Sequence, residues 1–328
     1  MLNFAIYGCG VISKTHAIAI RKLEGAQLIS CASRSFSTAQ VFAAEYGIRV
    51  EQDWNALISC DDIDVICICT PTGTHKALAI DALNAGKHVV LEKPMALDTA
   101  ECDEIIAAAE RANKKITIIS QMRTSPDIIR AKELLAQNAL GKLILCQLHM
   151  CYYREPSYYN ILWRGTKSLA GGGALTNQGV HGVDLLRDLM GPVKQVQSIV
   201  RTLMHDVEVE DTVAATLEFE SGAVGVITAS TATAPGYDRE IKIYGTRGGF
   251  EFKEDKMVRL VIDGVEQPCS NFVSDGAATS NLLLDPIGHI RQLRAFVRAI
   301  GGEDTVYPDQ FDGKQAVELI EAIYRETI

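Results

Sequence analysis

Residues 3–13 read Asn-Phe-Ala-Ile-Tyr-Gly-Cys-Gly-Val-Ile-Ser, and the parsing of this stretch decides the fold. The apolar run up to Gly8 reads as a strand, residues 14–22 as a helix and residues 26–33 as a second apolar strand. Strand, glycine turn, helix and strand, in that order, form the context in which a Gly-x-Gly-x-x-Gly sequence holds a dinucleotide. Gly8 permits the tight turn, and Gly10 lets the backbone approach a pyrophosphate, whose charge is favoured at a helix N-terminus. Ser13 stands at the third position and is small enough for helix-to-strand packing. A dinucleotide is therefore expected on Gly8, Gly10 and the amides of Val11 and Ile12.

At the end of the second strand stand Ser33 and Arg34, where NAD-binding proteins usually present an acidic residue to the adenosine ribose. A serine and an arginine can accept a 2′-phosphate, which leans the cofactor from NAD(H) toward NADP(H). An arginine pointing into solvent would read the same. Helices at 38–46, 54–59, 76–85 and 99–112 alternate with strands at 48–50, 64–69, 88–91 and 116–120. This alternation predicts an α/β, doubly wound, mostly parallel Rossmann sheet over residues 1–120.

Ligands of such sheets bind beyond the carboxyl ends of the strands. That rule draws in the loop 70–75, with Thr70, Pro71 and His75 bordering the cofactor and the threonines capping the next helix; a capping or surface role for His75 reads equally well. It also draws in Glu92-Lys93-Pro94, where an apolar strand ends in a carboxylate and an amine. Proline biases Lys93 toward an extended backbone, so the amine is presented on a stiffened chain. A solvated Glu-Lys pair at a strand end is the alternative.

After Ser120 the rhythm changes. Gln121-Met-Arg123 leads to a helix at 126–137, a strand-like run at 142–154 and a segment rich in Tyr, Trp and Arg, including Tyr153, Arg154, Tyr158, Tyr159, Trp163 and Arg164. That segment suits a polar ligand or ordinary packing. Gly171-Gly-Gly173 then opens a predicted helix whose i, i+4, i+7 spacing places Asn177, His181 and Asp184 on one stripe among apolar neighbours. Residues 193–261 read as antiparallel strands with a hairpin at Ser221-Gly222, residues 268–285 as irregular, and 286–300 and 312–326 as helices. The second domain is thus 121–328, α/β with an open, mainly antiparallel sheet, its C-terminal helices free to pack back on the first.

With 328 residues, 47% of them apolar, the chain suits two domains. A formal net charge of −9 argues against nucleic acid as a partner. No apolar run reaches transmembrane length, and a strand beginning at residue 3 leaves no room for a signal peptide, so a cytoplasmic protein is expected. Nine cysteines, an odd number set mostly in apolar segments, suit reduced thiols; no Cys-x-x-Cys occurs and no metal site is expected.

Taken together and in order, Gly8-Cys-Gly10 with His16, Cys69-Thr-Pro71-x-x-x-His75, Ala85-Gly-Lys-His88, Glu92-Lys93-Pro94, Gly171–Gly173 and Asn177-x-x-x-His181-x-x-Asp184 resemble the glucose-fructose oxidoreductase, inositol dehydrogenase and rhizopine-catabolism (Gfo/Idh/MocA) family over nearly the whole chain. The resemblance implies an NAD(P)-dependent oxidoreductase moving a hydride to or from a secondary alcohol or ketone of a sugar, polyol or nucleotide sugar. It implies that Lys93 and His181 flank the reacting carbon, and that the C-terminal sheet forms an oligomer interface, as a homodimer or homotetramer. The expected cofactor contacts then extend to Glu92, Lys93, Gln121, Trp163 and Arg164, and the expected substrate contacts are Arg123, Tyr153, Asn177 and Asp184. Inositol dehydrogenase-like members usually carry aspartate where this chain has Asn177. The segment from Trp163 to His181 looks most like the nucleotide-sugar branch, the UDP-N-acetylglucosaminuronate 3-dehydrogenases. A dinucleotide-binding regulator of the same fold, without turnover, is the competing reading.

Overall fold

The computed structural model describes residues 1–161, 163–270 and 285–327. The chain divides into two compact units, Met1–Gln121 with Leu282–Lys314, and Met122–Asn281 with Gln315–Ile328.

In the first unit β1 (Leu2–Tyr7), α1 (Val11–Arg21), β2 (Ala26–Ala32), α2 (Phe36–Tyr46), β3 (Arg49–Val50), α3 (Trp54–Ile58), β4 (Val65–Ile68), α4 (His75–Asn84), β5 (His88–Leu91), α5 (Thr99–Ala112) and β6 (Ile116–Ile118) follow in order. The strands form one parallel sheet, β3-β2-β1-β4-β5-β6, whose order reverses direction between β1 and β4. That is the topological switch point at which such sheets bind dinucleotides. All four residues of β4 are fully buried, as expected for a strand covered on both faces. Local signals stop and start the helices. Ser35 and Asp98 accept amide hydrogens of α2 and α5, and α2 ends at Gly47 with φ of 65°.

Two boundaries differ from expectation for a physical reason. α1 starts at Val11 rather than residue 14, because Gly10 itself is its N-cap. β6 stops at Ile118 rather than residue 120, because a side chain takes over the ladder: Gln292 donates to Ile118 O at 2.7 Å and accepts from Ser120 N at 3.1 Å.

The second unit contains α6 (Pro126–Ala136), β7 (Leu143–Cys151), the short α7 (Lys167–Ala170), α8 (Val180–Met190), β8 (Val193–Arg201), β9 (Thr212–Phe219), β10 (Val224–Ser230), β11 (Glu240–Gly245), β12 (Gly248–Lys253), β13 (Lys256–Ile262) and β14 (Val265–Glu266). α9 (Ile287–Ile300) counts with the first unit, where Ile290, Leu293 and Phe296 join the core around Phe4, Ile6, Ala17 and Ile20. α10 (Gln310–Arg325) contributes its residues from Gln315 onward to the second, with Ala316, Leu319, Ile320 and Ile323 in the core there.

The second sheet has eight strands in the order β14-β13-β12-β11-β7-β10-β9-β8. Its pairs are antiparallel except β7 with β10, which the sequence reading did not anticipate. β9 and β10 form the expected hairpin, with Gly222 at φ of 80° in the turn. Along β7, Cys146, Leu148 and Met150 are buried while Gln147 and His149 face out, so one face of this sheet carries the core. Of the irregular stretch expected at 268–285, residues 271–284 lie outside the described residues. All nine cysteines are free. Among the described residues no helix is long and apolar enough to cross a membrane.

Candidate active site

The glycine turn comes first. Gly8 has φ of 95°, and a Cβ there would stand 2.6 Å from the carbonyl oxygen of Cys69, so both the conformation and the contact require glycine. Gly10 differs. It is exposed, and a Cβ placed on it meets nothing within 4 Å. No side chain caps α1 at this point, so the first amides of the helix remain open to an anion. Buried Ser13, in the third position of the fingerprint, closes the turn by donating its hydroxyl hydrogen to Gly10 O. These residues fit a dinucleotide diphosphate at Gly8, Gly10, Val11 and Ile12. Ser33 is half-buried, and Arg34 is exposed without an ion-pair partner among the described residues.

The loop after β4 is braced from inside. His75 is fully buried, and its two ring nitrogens lie 2.8 Å from Pro94 O and 2.9 Å from Thr70 O. Burial lowers its pKa, and the two carbonyl contacts oppose that shift. The expected cofactor contact at His75 is therefore corrected: the imidazole ties the loop 70–75 to Pro94. Thr74 likewise does not cap α4, because its hydroxyl meets Thr70 Oγ1 and Pro71 O, each at 2.8 Å. Thr70 and Pro71 stay half-buried at the carboxyl edge of the sheet, beside Gly8.

At the end of β5 the two charged residues part company. Lys93 is half-buried, and its peptide to Pro94 is cis. Glu92 turns inward, with Oε1 2.7 Å from His16 Nε2 and Oε2 accepting from the Lys93 amide at 3.2 Å. Burial alone would raise the Glu92 pKa. The hydrogen bond from His16 and the electrostatic influence of His16, His289 and Lys93 outweigh it and hold the group down at about 2. Glu92 is thus an internal carboxylate, and its expected place among the cofactor contacts is corrected. Gln121, after β6, is also buried, at 7% exposure.

In the second unit the expected single helix from 171 onward is two segments. Ala174–Gln178 forms a wide π-helical turn, and α8 begins only at Val180. The cause lies elsewhere in the chain: the buried Glu210 carboxylate accepts the amides of Gly173 at 2.8 Å and Leu175 at 2.9 Å, and Tyr324 bonds both Glu210 and Thr176. Asn177 therefore belongs to the π turn, whereas His181 and Asp184 belong to α8, and the three do not share one α-helical stripe. Asn177 and His181 are half-buried.

Asp184 and Arg123 are corrected together. The Arg123 guanidinium bonds both oxygens of Asp184, at 2.9 and 2.7 Å, and reaches Asp188 at 3.1 Å, with both residues buried. Two expected substrate contacts are each other's structural partner. The aromatic segment is also organised. Arg164 stacks 4.0 Å from the Tyr158 ring centroid and 5.6 Å from that of Trp163. Arg154 donates to Gln178 at 2.7 Å, and Gln178 donates to the Tyr158 hydroxyl at 2.7 Å. The sequence reading named the aromatics but not Gln178 as their organiser. Tyr153 is half-buried and bridges Ala232 through its backbone.

With this geometry in place, comparison with known proteins is informative. Residues 2–120 match the GFO/IDH/MocA profile described as an oxidoreductase family with an NAD-binding Rossmann fold, and residues 128–251 match the GFO/IDH/MocA C-terminal domain. Oxidoreductase P35 of Formosa agariphila is 30% identical over 204 residues, which cover 60% of this chain and 63% of that protein, less than two thirds of its length. Inositol 2-dehydrogenase of Rhizobium meliloti is 25% identical over 332 residues, covering 99% of this chain and 96% of its own. The WlbA dehydrogenase of Bordetella pertussis, solved in complex with NADH and UDP-GlcNAcA, is similar at a TM-score of 0.89 and 26% identity, covering 99% of this chain and 95% of that one. Matched in both halves, the chain belongs to the GFO/IDH/MocA family of NAD-binding oxidoreductases.

Proposed function

We propose that this protein is an NAD(P)-dependent dehydrogenase or reductase acting on a secondary alcohol or ketone of a sugar, polyol or nucleotide sugar. The observation that carries the reading is the pair of features at the switch edge of the first sheet: the open Gly10 turn at α1, and Lys93 delivered at the end of β5. The bound nicotinamide supplies or accepts the hydride. The chain's own residues orient the carbon and manage the hydroxyl proton. Lys93 polarises and orients the hydroxyl, and His181 exchanges its proton as the acid-base group. Asn177, an amide, orients the substrate and takes no part in a proton relay. Tyr153, Trp163 and Arg164 complete the expected contacts.

A nucleotide sugar is the substrate class favoured. Asn177 stands where inositol dehydrogenase-like members carry aspartate, and the WlbA enzyme similar to this chain was solved with UDP-GlcNAcA. Ser33 and exposed Arg34 favour NADP(H). Association of copies through the outer face of the eight-stranded sheet is supported by Ile199 and Val224, apolar and 46% and 50% exposed on β8 and β10.

A panel of sugars, polyols and nucleotide sugars, assayed with NAD and NADP at the nicotinamide absorbance, tests the reading. Turnover of at least one panel member is the expected result. Cofactor binding without turnover across the panel would favour the regulatory reading instead.

A further inference from the structure

His16 on α1, Glu92 at the end of β5 and His289 on α9 form a cluster within the first unit, 0%, 5% and 1% exposed. One donor atom of each lies within 4.8 Å of the others. His16 Nδ1 and both nitrogens of His289 have no hydrogen-bond partner among the described residues, and the two rings meet edge to face at 5.2 Å between centroids. Buried polar atoms in that state call for an explanation.

A divalent cation and a hydrogen-bonded positioning network are the two accounts. The distances favour the network. His16 Nε2 and Glu92 Oε1 are 2.7 Å apart, a charge-assisted hydrogen bond already made, and a cation would have to open it beside the positive Lys93. An ionised carboxylate only accepts, so His16 Nε2 carries the proton that joins the two. The other Glu92 oxygen accepts the Lys93 amide.

We propose that His16 is a positioning residue, which locks the Glu92 carboxylate so that the helix receiving the dinucleotide also sets the place of Lys93. The path is short and each link is on one rigid element or one hydrogen bond. Gly10 caps α1, His16 lies in the second turn of that helix, His16 holds Glu92, and Glu92 holds the Lys93 backbone. A shift of α1 on occupancy of the glycine turn therefore reaches Lys93 without passing through the substrate. The same carboxylate and the Lys93 amine influence each other electrostatically. The groups facing Glu92 are His16 of α1, His289 of α9, Cys67 and Cys69 at the end of β4, His75 of α4 and Lys93 itself. The inference rests on the reading of Lys93 as the residue that orients the hydroxyl.

The test uses the full chain and two readouts. First, single-turnover hydride transfer and cofactor affinity are measured in His16→Ala and His16→Gln. His16→Ala is expected to slow transfer about tenfold to a hundredfold, as a misplaced catalytic group does, with little change in cofactor Kd. His16→Gln, whose amide still donates to Glu92, should recover most of the loss. Second, the Lys93 amine is titrated by NMR in ¹³C-methylated protein, with Lys93→Arg identifying the signal. Glu92→Gln preserves shape and the acceptor for the Lys93 amide but removes the charge, so the midpoint is expected to fall. An unchanged rate in folded His16→Ala, or an unchanged midpoint in Glu92→Gln, would overturn the proposal. So would a stoichiometric divalent ion found by elemental analysis of the purified protein. Should His16→Ala fail to fold, the titration decides. Should Lys93→Ala retain full turnover, the catalytic reading of Lys93 fails, and the titration still reports whether Glu92 governs its amine.

Discussion

Arg123 and Asp184 meet through two near-parallel bonds, Nε to Oδ2 at 2.9 Å and Nη2 to Oδ1 at 2.7 Å, with both side chains less than a tenth exposed. The fork geometry fills both carboxylate oxygens, and the remaining guanidinium nitrogen reaches Asp188. Removing Asp184 takes two of the bonds from a buried guanidinium and leaves it the contact to Asp188. Asp184→Ala is expected to cost about 3–5 kcal/mol of unfolding free energy by denaturant titration. The double variant Arg123→Met/Asp184→Leu should cost much less than the sum of the two singles. A single-variant loss confined to substrate KM, with stability intact, would return the pair to the substrate.

The two glycines of the turn should separate folding from binding. A Cβ at Gly10 meets nothing within 4 Å, so Gly10→Leu is expected to fold normally while the side chain occupies the approach of the diphosphate and cofactor binding is lost. Gly8→Ala instead forces a side chain onto φ of 95° and against Cys69 O, and should cost about 1–3 kcal/mol of stability. Thermal melts beside calorimetric cofactor titration read both; normal affinity in folded Gly10→Leu would remove the turn from the cofactor site.

Much of this was legible because it is local. The glycine turn, the alternation of strands and helices up to β6 and the hairpin at Gly222 each follow from a handful of consecutive residues. What was missed is held by partners far along the chain. The stripe expected for Asn177, His181 and Asp184 assumes a uniform α-helix, but Glu210, 37 positions from Gly173, holds a π turn there. Arg123 and Asp184 are 61 positions apart, so a polar residue on an apolar helix face looked available for substrate when it was already paired. His75 and Glu92 were read as facing a ligand because their loops do; their side chains turn inward to Pro94 and His16. Loop placement follows from strand order, whereas the direction of one side chain depends on contacts no short motif encodes.

Cofactor preference should turn on Arg34. If its guanidinium accepts the 2′-phosphate, Arg34→Ala weakens NADP binding by about 1.5–3 kcal/mol, the size of a lost charge-assisted contact, and leaves NAD nearly unchanged. Calorimetric titration with both cofactors measures this. Equal losses for the two would assign Arg34 to the adenine or to structure.

Stability should decline in mild acid through histidines that are neutral when folded. Burial, with the electrostatic influence of His16 beside it, lowers His289 from 6.5 to about 3, and burial with Lys114 lowers His88 to about 4. Below pH 6.5 the unfolded chain binds protons that the folded chain refuses, so unfolding free energy falls as pH falls from about 6.5 to 4. Each such group contributes a slope of up to about 1.4 kcal/mol per pH unit. Glu92, held at about 2, adds stability that is present above the usual carboxylate range and is lost only as pH falls from about 4.5 toward 2. Denaturant titrations from pH 7 to 4 should show His289→Gln flattening the decline; an identical slope in that variant would mean that His289 is protonated in the folded chain.

The most direct measurement is single-turnover hydride transfer, at saturating cofactor and across pH, in the wild type, Lys93→Ala, His181→Ala and the double variant. Groups that serve one transition state are not additive. Each single variant is therefore expected to slow the chemical step strongly, and the double variant to be little worse than the slower single. Intact chemistry in either single variant would remove that residue from the mechanism, and strictly additive losses would contradict a shared role at one hydroxyl.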